Sequence, residues 1–176
     1  FNLLKYFREL FECDYYNIES VLLTRFYSID EIIKQIDFTK PKTISCSYHF
    51  SKNELLKIKQ IFKKLKIGIA INPENFDKKY IQSIREIVDV IYFDMNVYKK
   101  KSIKKYSLKK SIKKKQFIKN KNIPVYVGGG IDKKNVSKIL KQVIPFGLDI
   151  SRSLKNERNL ISKSKLKDFL NQISVG

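Results

Sequence analysis

The chain has 176 residues, of which 43% are hydrophobic, and a formal net charge of +20 from 37 Lys and Arg against 17 Asp and Glu. This length predicts one domain that spans residues 1–176, and the apolar content excludes an intrinsically disordered chain. No apolar run approaches the ~20 residues that a membrane-spanning helix needs. No signal-peptide pattern follows Phe1, so we expect a cytoplasmic protein without a membrane segment.

Six β-rich runs recur along the chain, with helical patterns between them. The runs are residues 19–24, 43–48, 67–71, 89–94, 124–127 and 147–151. Several of them are almost unbroken apolar stretches, which is typical of parallel strands that are buried on both faces. Their starts are 22–24 residues apart, with one longer gap of 35 residues. This spacing predicts a βα repeat and therefore a parallel sheet with right-handed crossovers.

Helix-start signals support the same repeat. Ser28 and Ser51 are each followed three residues later by a glutamate, which predicts a capping box at the start of two helices. A further amphipathic pattern in residues 1–12 predicts a helix before the first strand. One helix and six βα units predict an α/β fold, an incomplete TIM (βα)8-type barrel, since the closed barrel has eight strands. We expect the first βα unit and the second strand to be missing, and an open doubly wound sheet is the alternative.

The net positive charge can be interpreted in two ways. Lysines occur on nearly every predicted helix, Arg is scarce, and the chain is also rich in Ile and Asn. We interpret the charge as compositional, and we expect the lysines to be scattered over the outer helices. A nucleic-acid partner is the alternative, for which the lysine-dense residues 98–122 are the candidate contact.

Polar residues end the predicted strands, where a parallel barrel has its active site. Gly128, Gly129 and Gly130 follow one strand, and glycines there let backbone N–H groups approach a phosphate closely. The residues after the last strand are Ser151, Arg152 and Ser153. Because phosphate sites recur between the last two strands of such barrels, both segments together predict a phosphate-binding site.

Three further side chains are candidates for the chemistry. Asp94 ends a β-rich strand, where a carboxylate is placed for general acid or base catalysis, although it could instead cap the loop. Asp149 lies inside the last predicted strand, where a buried acid needs a hydrogen-bonding partner such as a ligand hydroxyl. His49, the only histidine, ends another strand. Cys46 reads as a core residue, and no metal or cofactor motif is present.

The segment 124–153, PVYVGGGIDKKNVSKILKQVIPFGLDISRS, resembles the end of the phosphoribosylanthranilate isomerase family, which acts in tryptophan biosynthesis. That family has a strand ending in Gly-Gly, an Asn-Val helix start, and the run Pro-[Phe/Tyr]-Gly-Val-Asp-Val-Ser-Ser-Gly. Residues 145–151 match this run without a gap. Tyr48-His49 is similar to the family's Leu-His-Gly, and Phe93-Asp94 to its Leu-Leu-Asp. The resemblance covers about residues 20–170 and is most specific after residue 124.

The resemblance implies an intramolecular oxidoreductase that converts N-(5'-phosphoribosyl)anthranilate, an aminoaldose, into an aminoketose by an Amadori rearrangement. It implies that Asp94 protonates the furanose ring oxygen and that His49 and Asp149 contact the substrate. The phosphate is then held by the backbone of five residues: Gly129, Gly130, Ser151, Arg152 and Ser153. A small phosphorylated substrate is the implied partner, without a cofactor or metal; nothing in the sequence predicts an oligomeric state.

The chain also departs from the family's pattern. The family's base is a cysteine at the end of the first barrel strand, and neither Cys13 nor Cys46 matches it. The family's second-strand arginine has no match either, and its Ser-Ser-Gly turn is Ser151-Arg152-Ser153 here. On the resemblance, this segment by itself lacks the general base, so its own activity is in question.

Two other functions remain as alternatives. Residues 68–75, 93–97 and 128–135 also resemble ribulose-phosphate 3-epimerase, another phosphate-binding barrel. That family holds a metal with two histidines and two aspartates, and the single histidine of this chain cannot supply the set. The alternative of another class is a basic nucleic-acid-binding protein, or a non-catalytic remnant, built on the same barrel.

Overall fold

The structure is a computed structural model and describes residues 17–94, 123–142 and 144–174. In these ranges the strands are β1 (Val21–Thr24), β2 (Thr43–Cys46), β3 (Lys66–Ile71), β4 (Val90–Asp94), β5 (Val125–Gly128) and β6 (Gly147–Leu148). The helices are α1 (Ile29–Thr39), α2 (Lys52–Ile61), α3 (Lys78–Ile84), α4 (Val136–Gln142) and α5 (Lys163–Ser174). Short 3₁₀ turns occupy Pro73–Asn75 and Arg152–Leu154.

The six described strands form one parallel sheet in chain order, β1-β2-β3-β4-β5-β6. The sheet curls into a half-barrel with the described helices between its strands, and β1 and β6 are its edges in the described part of the chain. This confirms the prediction of an incomplete TIM-type barrel. The doubly wound alternative is wrong, because its strand order would reverse within the sheet.

The core lies between the sheet and the helices. One row of side chains across β2 to β5 consists of Cys46, Ile69, Ile91 and Val125, and each is at most 4% exposed. The helices cover this row with residues spaced three or four positions apart, namely Ile32, Ile36, Leu55, Ile58, Ile81, Ile84, Val136 and Ile139. Each such buried aliphatic side chain contributes about 1.5–3 kcal/mol relative to an exposed one, so this layer stabilises the half-barrel.

The opposite, concave face of the sheet carries a different set of residues. Tyr92 and Tyr126 are register partners on β4 and β5, with ring centroids 5.4 Å apart. Because side chains alternate along a strand, the residues two positions further on, Asp94 and Gly128, point to the same concave face. The concave face therefore leads directly to the carboxyl ends of the strands.

Several predicted boundaries shift in the structure. The strand predicted for residues 147–151 ends at Leu148. Asp149 N–H donates the last hydrogen bond to β5, to the Val127 carbonyl at 2.8 Å, and the chain turns after it. The predicted capping box at Ser51 is confirmed, with both reciprocal hydrogen bonds to Glu54 present. The one at Ser28 is wrong, because Ser28 occupies the N-cap position without a side-chain bond.

The described lysines occur on all five helices. At the N-terminal edge of the strands, a cavity of about 670 Å³ has lysines in its wall, namely Lys40, Lys42, Lys63, Lys64 and Lys66. The lysine-dense residues 98–122 and the helix predicted for residues 1–12 lie outside the described residues. No helix in the described part of the chain is long and apolar enough to cross a membrane.

Candidate functional site

A cavity of about 740 Å³ opens at the carboxyl ends of the strands, the edge where parallel barrels place their active sites. Its wall consists of Leu23, Arg25, Asp94, Gly129, Gly130, Ile131, Asp132, Asp149, Ile150, Ser151, Arg152 and Ser153. Seven of the eight residues that the sequence nominates for the site are therefore in one wall. The exception is His49.

The glycine loop that follows β5 has a backbone conformation that favours glycine. Gly129 and Gly130 adopt φ angles of 85° and 94°, which L side chains rarely adopt. The loop is braced from behind, because Asn135 Nδ2 donates to the Gly130 carbonyl at 2.9 Å. The Asp132 carboxylate accepts from the N–H groups of Lys134 and Asn135, which starts the turn into α4. Two glycines in a row thus present bare backbone to the cavity.

The segment that follows β6 forms the other side of the cavity. It turns through the 3₁₀ turn Arg152–Leu154, in which Leu154 N–H donates to the Ser151 carbonyl at 3.1 Å. The Ser153 hydroxyl donates to the Ile131 carbonyl at 2.7 Å. This bond ties the turn to the glycine loop, so the two segments nominated for phosphate binding are held together.

Asp94, Gly128 and Asp149 form a row across the last three strands. Asp94 is the register partner of Gly128, and Asp149 lies next to Gly128 on the other side. A Cβ atom added to Gly128 would lie 3.0 Å from Asp149 Cβ and 3.1 Å from Asp149 Oδ2. The Asp149 carboxyl therefore leans over the glycine, toward the strand that carries Asp94.

The Asp149 carboxyl in the cavity wall has a perturbed acidity. Its partial burial raises its pKa above the ordinary value, and the negative charge of Asp94 raises the pKa further. Both effects disfavour the ionised form, since burial removes water and a like charge repels. Asp149 is thus a weaker acid and, when ionised, a stronger base than an ordinary aspartate.

Arg25 also lies in the cavity wall, although the sequence did not mark it as a site residue. It follows β1, whereas Arg152 follows β6, so the two guanidinium groups come from the opposite edges of the described sheet. The position of Arg25 after a predicted strand was a weak indication of a site, because charged residues are common wherever a strand ends and a loop begins. Its place in the wall depends on the curl of the sheet.

His49 is not among the residues that line the cavity. β2 ends at Cys46, two residues earlier than predicted, and the chain then turns. The imidazole stacks on the ring of Tyr80 from α3, with centroids 4.8 Å apart and planes inclined by 19°. Burial lowers the pKa of His49, and the nearby Asp77 partly offsets that shift. Contact of His49 with a substrate stays a prediction.

Cys46 belongs to the core, as its place in the strand predicted. It is fully buried, and burial raises the pKa of its thiol to about 12. In the described ranges, no three side chains of the types His, Cys, Asp and Glu come together as a metal site.

No protein-family model and no curated protein sequence matches this chain. Its fold does resemble solved structures. The N-(5'-phosphoribosyl)anthranilate isomerase of Pyrococcus furiosus is 20% identical with a TM-score of 0.68, over 90% of this chain and 75% of that one. The phosphoribosyl anthranilate isomerase of Thermococcus kodakaraensis is 16% identical with a TM-score of 0.68, over 90% and 76%.

A structure of another description is about as similar. The KGPDC of Streptococcus mutans is 14% identical with a TM-score of 0.64, over 88% of this chain and 73% of that one. At these identities the similarity shows the fold alone.

Proposed function

We propose that this cavity binds the phosphate of a phosphorylated sugar derivative and isomerises an aminoaldose to an aminoketose. The substrate that we propose is N-(5'-phosphoribosyl)anthranilate, and the reaction is an Amadori rearrangement. The proposal rests on one observation, the convergence of two backbone-rich turns with the carboxylates of Asp94 and Asp149 in a single cavity at the carboxyl edge of the half-barrel.

The phosphate is assigned to the backbone of Gly129, Gly130, Ser151, Arg152 and Ser153. Backbone N–H groups suit this anion because they are fixed in place and do not titrate. The hydrogen bond from Ser153 to the Ile131 carbonyl supports the assignment, since it holds the two turns at one place. Arg152 can add a charge-assisted hydrogen bond, which is roughly twice as strong as a neutral one.

The chemistry is assigned to Asp94. The reaction begins when the furanose ring opens, which requires a proton on the ring oxygen as the bond to C1 breaks. Asp94 ends β4 in the wall of the same cavity, which supports the assignment because a sugar bound there would lie beside its carboxyl. One structure similar to this chain, a phosphoribosyl anthranilate isomerase, is a complex with reduced 1-(o-carboxyphenylamino)-1-deoxyribulose 5-phosphate. That compound is a product analogue for the proposed reaction and serves as a probe.

The test measures binding and rate separately. Isothermal titration of the chain with the reduced product analogue and with D-ribulose 5-phosphate gives affinities, and the loss of substrate fluorescence gives kcat. Asp94→Asn should bind the analogue as tightly as the unmodified chain and lose about 10²–10⁴-fold in kcat, the usual contribution of a general acid.

Asp37→Asn is the matched control, because Asp37 is an exposed aspartate on α1 away from the cavity. It should change neither affinity nor rate. A chain that binds neither phosphorylated compound contradicts the proposed function, as does full activity in Asp94→Asn.

A further inference from the structure

A second cavity lies at the other end of the half-barrel from the proposed phosphate site. This basal cavity has a volume of about 670 Å³ and lies where the loops 40–42 and 62–65 lead into β2 and β3. Its volume is in the range of sites that hold a small organic ligand. It shares no wall residue with the cavity at the carboxyl edge, so the two are separate candidate sites.

The basal cavity carries more positive charge than the groups around it neutralise. Its wall has one carboxylate, Glu19, and five ammonium groups, those of Lys40, Lys42, Lys63, Lys64 and Lys66. Glu19 pairs with Lys66, and Asp37 from α1 pairs with Lys40. The C-terminal ends of α1 and α2 each add roughly half a negative charge. Five positive charges against two carboxylates and two helix ends leave about two without compensation.

Two of these lysines are available to a ligand. Lys63 and Lys64 are exposed in the turn after α2, and no ion pair in the described part of the chain includes either of them. Leu65 N–H donates to the Phe62 carbonyl at 3.0 Å, which fixes the turn that carries both lysines. The described wall contains no arginine. Because the planar fork of Arg suits a carboxylate whereas Lys binds phosphate as a point charge, this wall favours phosphate.

The other side of the basal cavity is apolar. It consists of Ile36, Pro41, Ile61, Phe62 and Leu65. The Ile61 side chain is 50% exposed and that of Phe62 is partly buried, so both offer apolar surface beside the lysine turn. An inorganic anion gains nothing from such a surface. A ligand that combines phosphate groups with a flat, weakly polar ring system would use both sides of the cavity.

We propose that the basal cavity binds a nucleotide that carries a chain of phosphate groups, such as ATP. The phosphates bind to Lys63 and Lys64, and the base packs on Ile61 and Phe62. This site is independent of the function proposed for the cavity at the carboxyl edge. A free nucleotide and the triphosphate end of an RNA strand have the same chemistry, and the experiment separates these two sources.

Isothermal titration of the 176-residue chain with ATP measures the affinity. We expect a Kd below about 1 mM at a salt concentration of about 50 mM, and weaker binding at about 200 mM, because salt screens exposed charges. Lys63→Gln with Lys64→Gln should weaken ATP binding about 3- to 30-fold. The matched control is Lys163→Gln with Lys167→Gln, which removes the same charge from α5, away from the cavity, and should leave the affinity unchanged.

Two further variants locate the ligand within the molecule. Ile61→Ser should weaken the binding of ATP about 3- to 10-fold and leave the binding of inorganic tripolyphosphate unchanged, because only ATP has a base. Arg152→Gln should leave the ATP affinity unchanged, since Arg152 belongs to the cavity at the carboxyl edge. Oligoadenylate with a 5'-triphosphate is the comparison ligand. Tighter binding of the oligonucleotide than of ATP identifies an RNA end as the source, and equal or weaker binding identifies the free nucleotide.

Several outcomes would overturn the proposal. One is the absence of ATP binding at millimolar concentration. Another is an equal loss of affinity in the two double variants, which would show a response to net charge alone. Tripolyphosphate that binds as tightly as ATP, or an oligoglutamate peptide that displaces ATP, would exclude a nucleotide site. Weakening by Arg152→Gln would place the bound ATP in the other cavity. Circular dichroism of each variant establishes that its fold is retained.

Discussion

Replacing Gly128 with alanine tests the geometry of the carboxylate row directly. The new methyl group would lie 3.0 Å from Asp149 Cβ, 3.1 Å from its Oδ2 and 3.2 Å from its carbonyl oxygen. Carbon atoms in ordinary contact are about 3.5–4.0 Å apart, so Asp149 or the end of β6 must move by roughly half an ångström. Overpacking of this kind costs about 1–3 kcal/mol. For a chain of this size, each kcal/mol lowers Tm by about 2–4 °C, so we expect a decrease of roughly 2–12 °C.

The same displacement should impair the reaction. A misplacement of about 1 Å in a group that positions a substrate can cost ~10²-fold in rate, and the Asp149 carboxyl, which we expect to contact the substrate, is the group that moves. We therefore expect Gly128→Ala to lower kcat by about 10- to 100-fold. Thermal and urea denaturation measure the stability, and steady-state kinetics on the proposed substrate measure the rate.

A double-mutant cycle identifies the cause. Asp149→Gly removes both side-chain contacts with the new methyl group, so it should recover part of the stability that Gly128→Ala loses, with a coupling of about 1 kcal/mol or more. Gly130→Ala is the control, because an added Cβ there meets nothing within 4 Å and its cost comes from the φ angle of 94°. That cost should be about 1–2 kcal/mol, without coupling to Asp149.

Two results would contradict this prediction. One is a Gly128→Ala chain that melts and reacts like the unmodified protein. The other is additivity of Gly128→Ala with Asp149→Gly to within about 0.5 kcal/mol, the behaviour of sites that do not touch. Either result would mean that the carboxyl does not lean over the glycine.

Three further predictions concern the frame around the site. Ser51→Ala should lower the free energy of unfolding by about 1 kcal/mol because it removes a formed capping box, whereas Ser28→Ala should cost less than about 0.5 kcal/mol, as urea denaturation will measure. The hydrogen bond from Lys66 is the main cause of the lowered pKa of Glu19. The stability that this ion pair contributes is therefore present above the ordinary glutamate pKa of about 4.3, and it is lost as the pH falls through the lower pKa that Glu19 has in the folded protein. Glu19→Gln should flatten that part of the acid-stability profile, and an unchanged profile would contradict the pairing. Cys46, with its thiol pKa raised to about 12, should resist iodoacetamide at pH 8 until the chain unfolds, as mass spectrometry of its peptide will show.

The repeat and the edge that carries the site can be predicted from the amino-acid sequence alone. Unbroken apolar runs at regular spacing predicted parallel strands, because strands covered on both faces need apolar residues at every position. The glycine triplet that follows β5 and the aspartate that ends β4 predicted two parts of the cavity wall. These signals are local, since each depends on a strand end and the few residues beside it.

Which strand ends meet in one cavity depends on the tertiary structure. His49 and Arg25 both lie just beyond predicted strands, yet Arg25 is in the cavity wall and His49 stacks on Tyr80. The difference depends on where each strand stops and on how the sheet curls. Neither can be predicted from the few residues on either side of a position. The approach of Asp149 to Asp94 likewise depends on the register of three strands. The two residues are 55 positions apart in the sequence, and parallel pairing together with the missing side chain of Gly128 brings them to one face of the sheet.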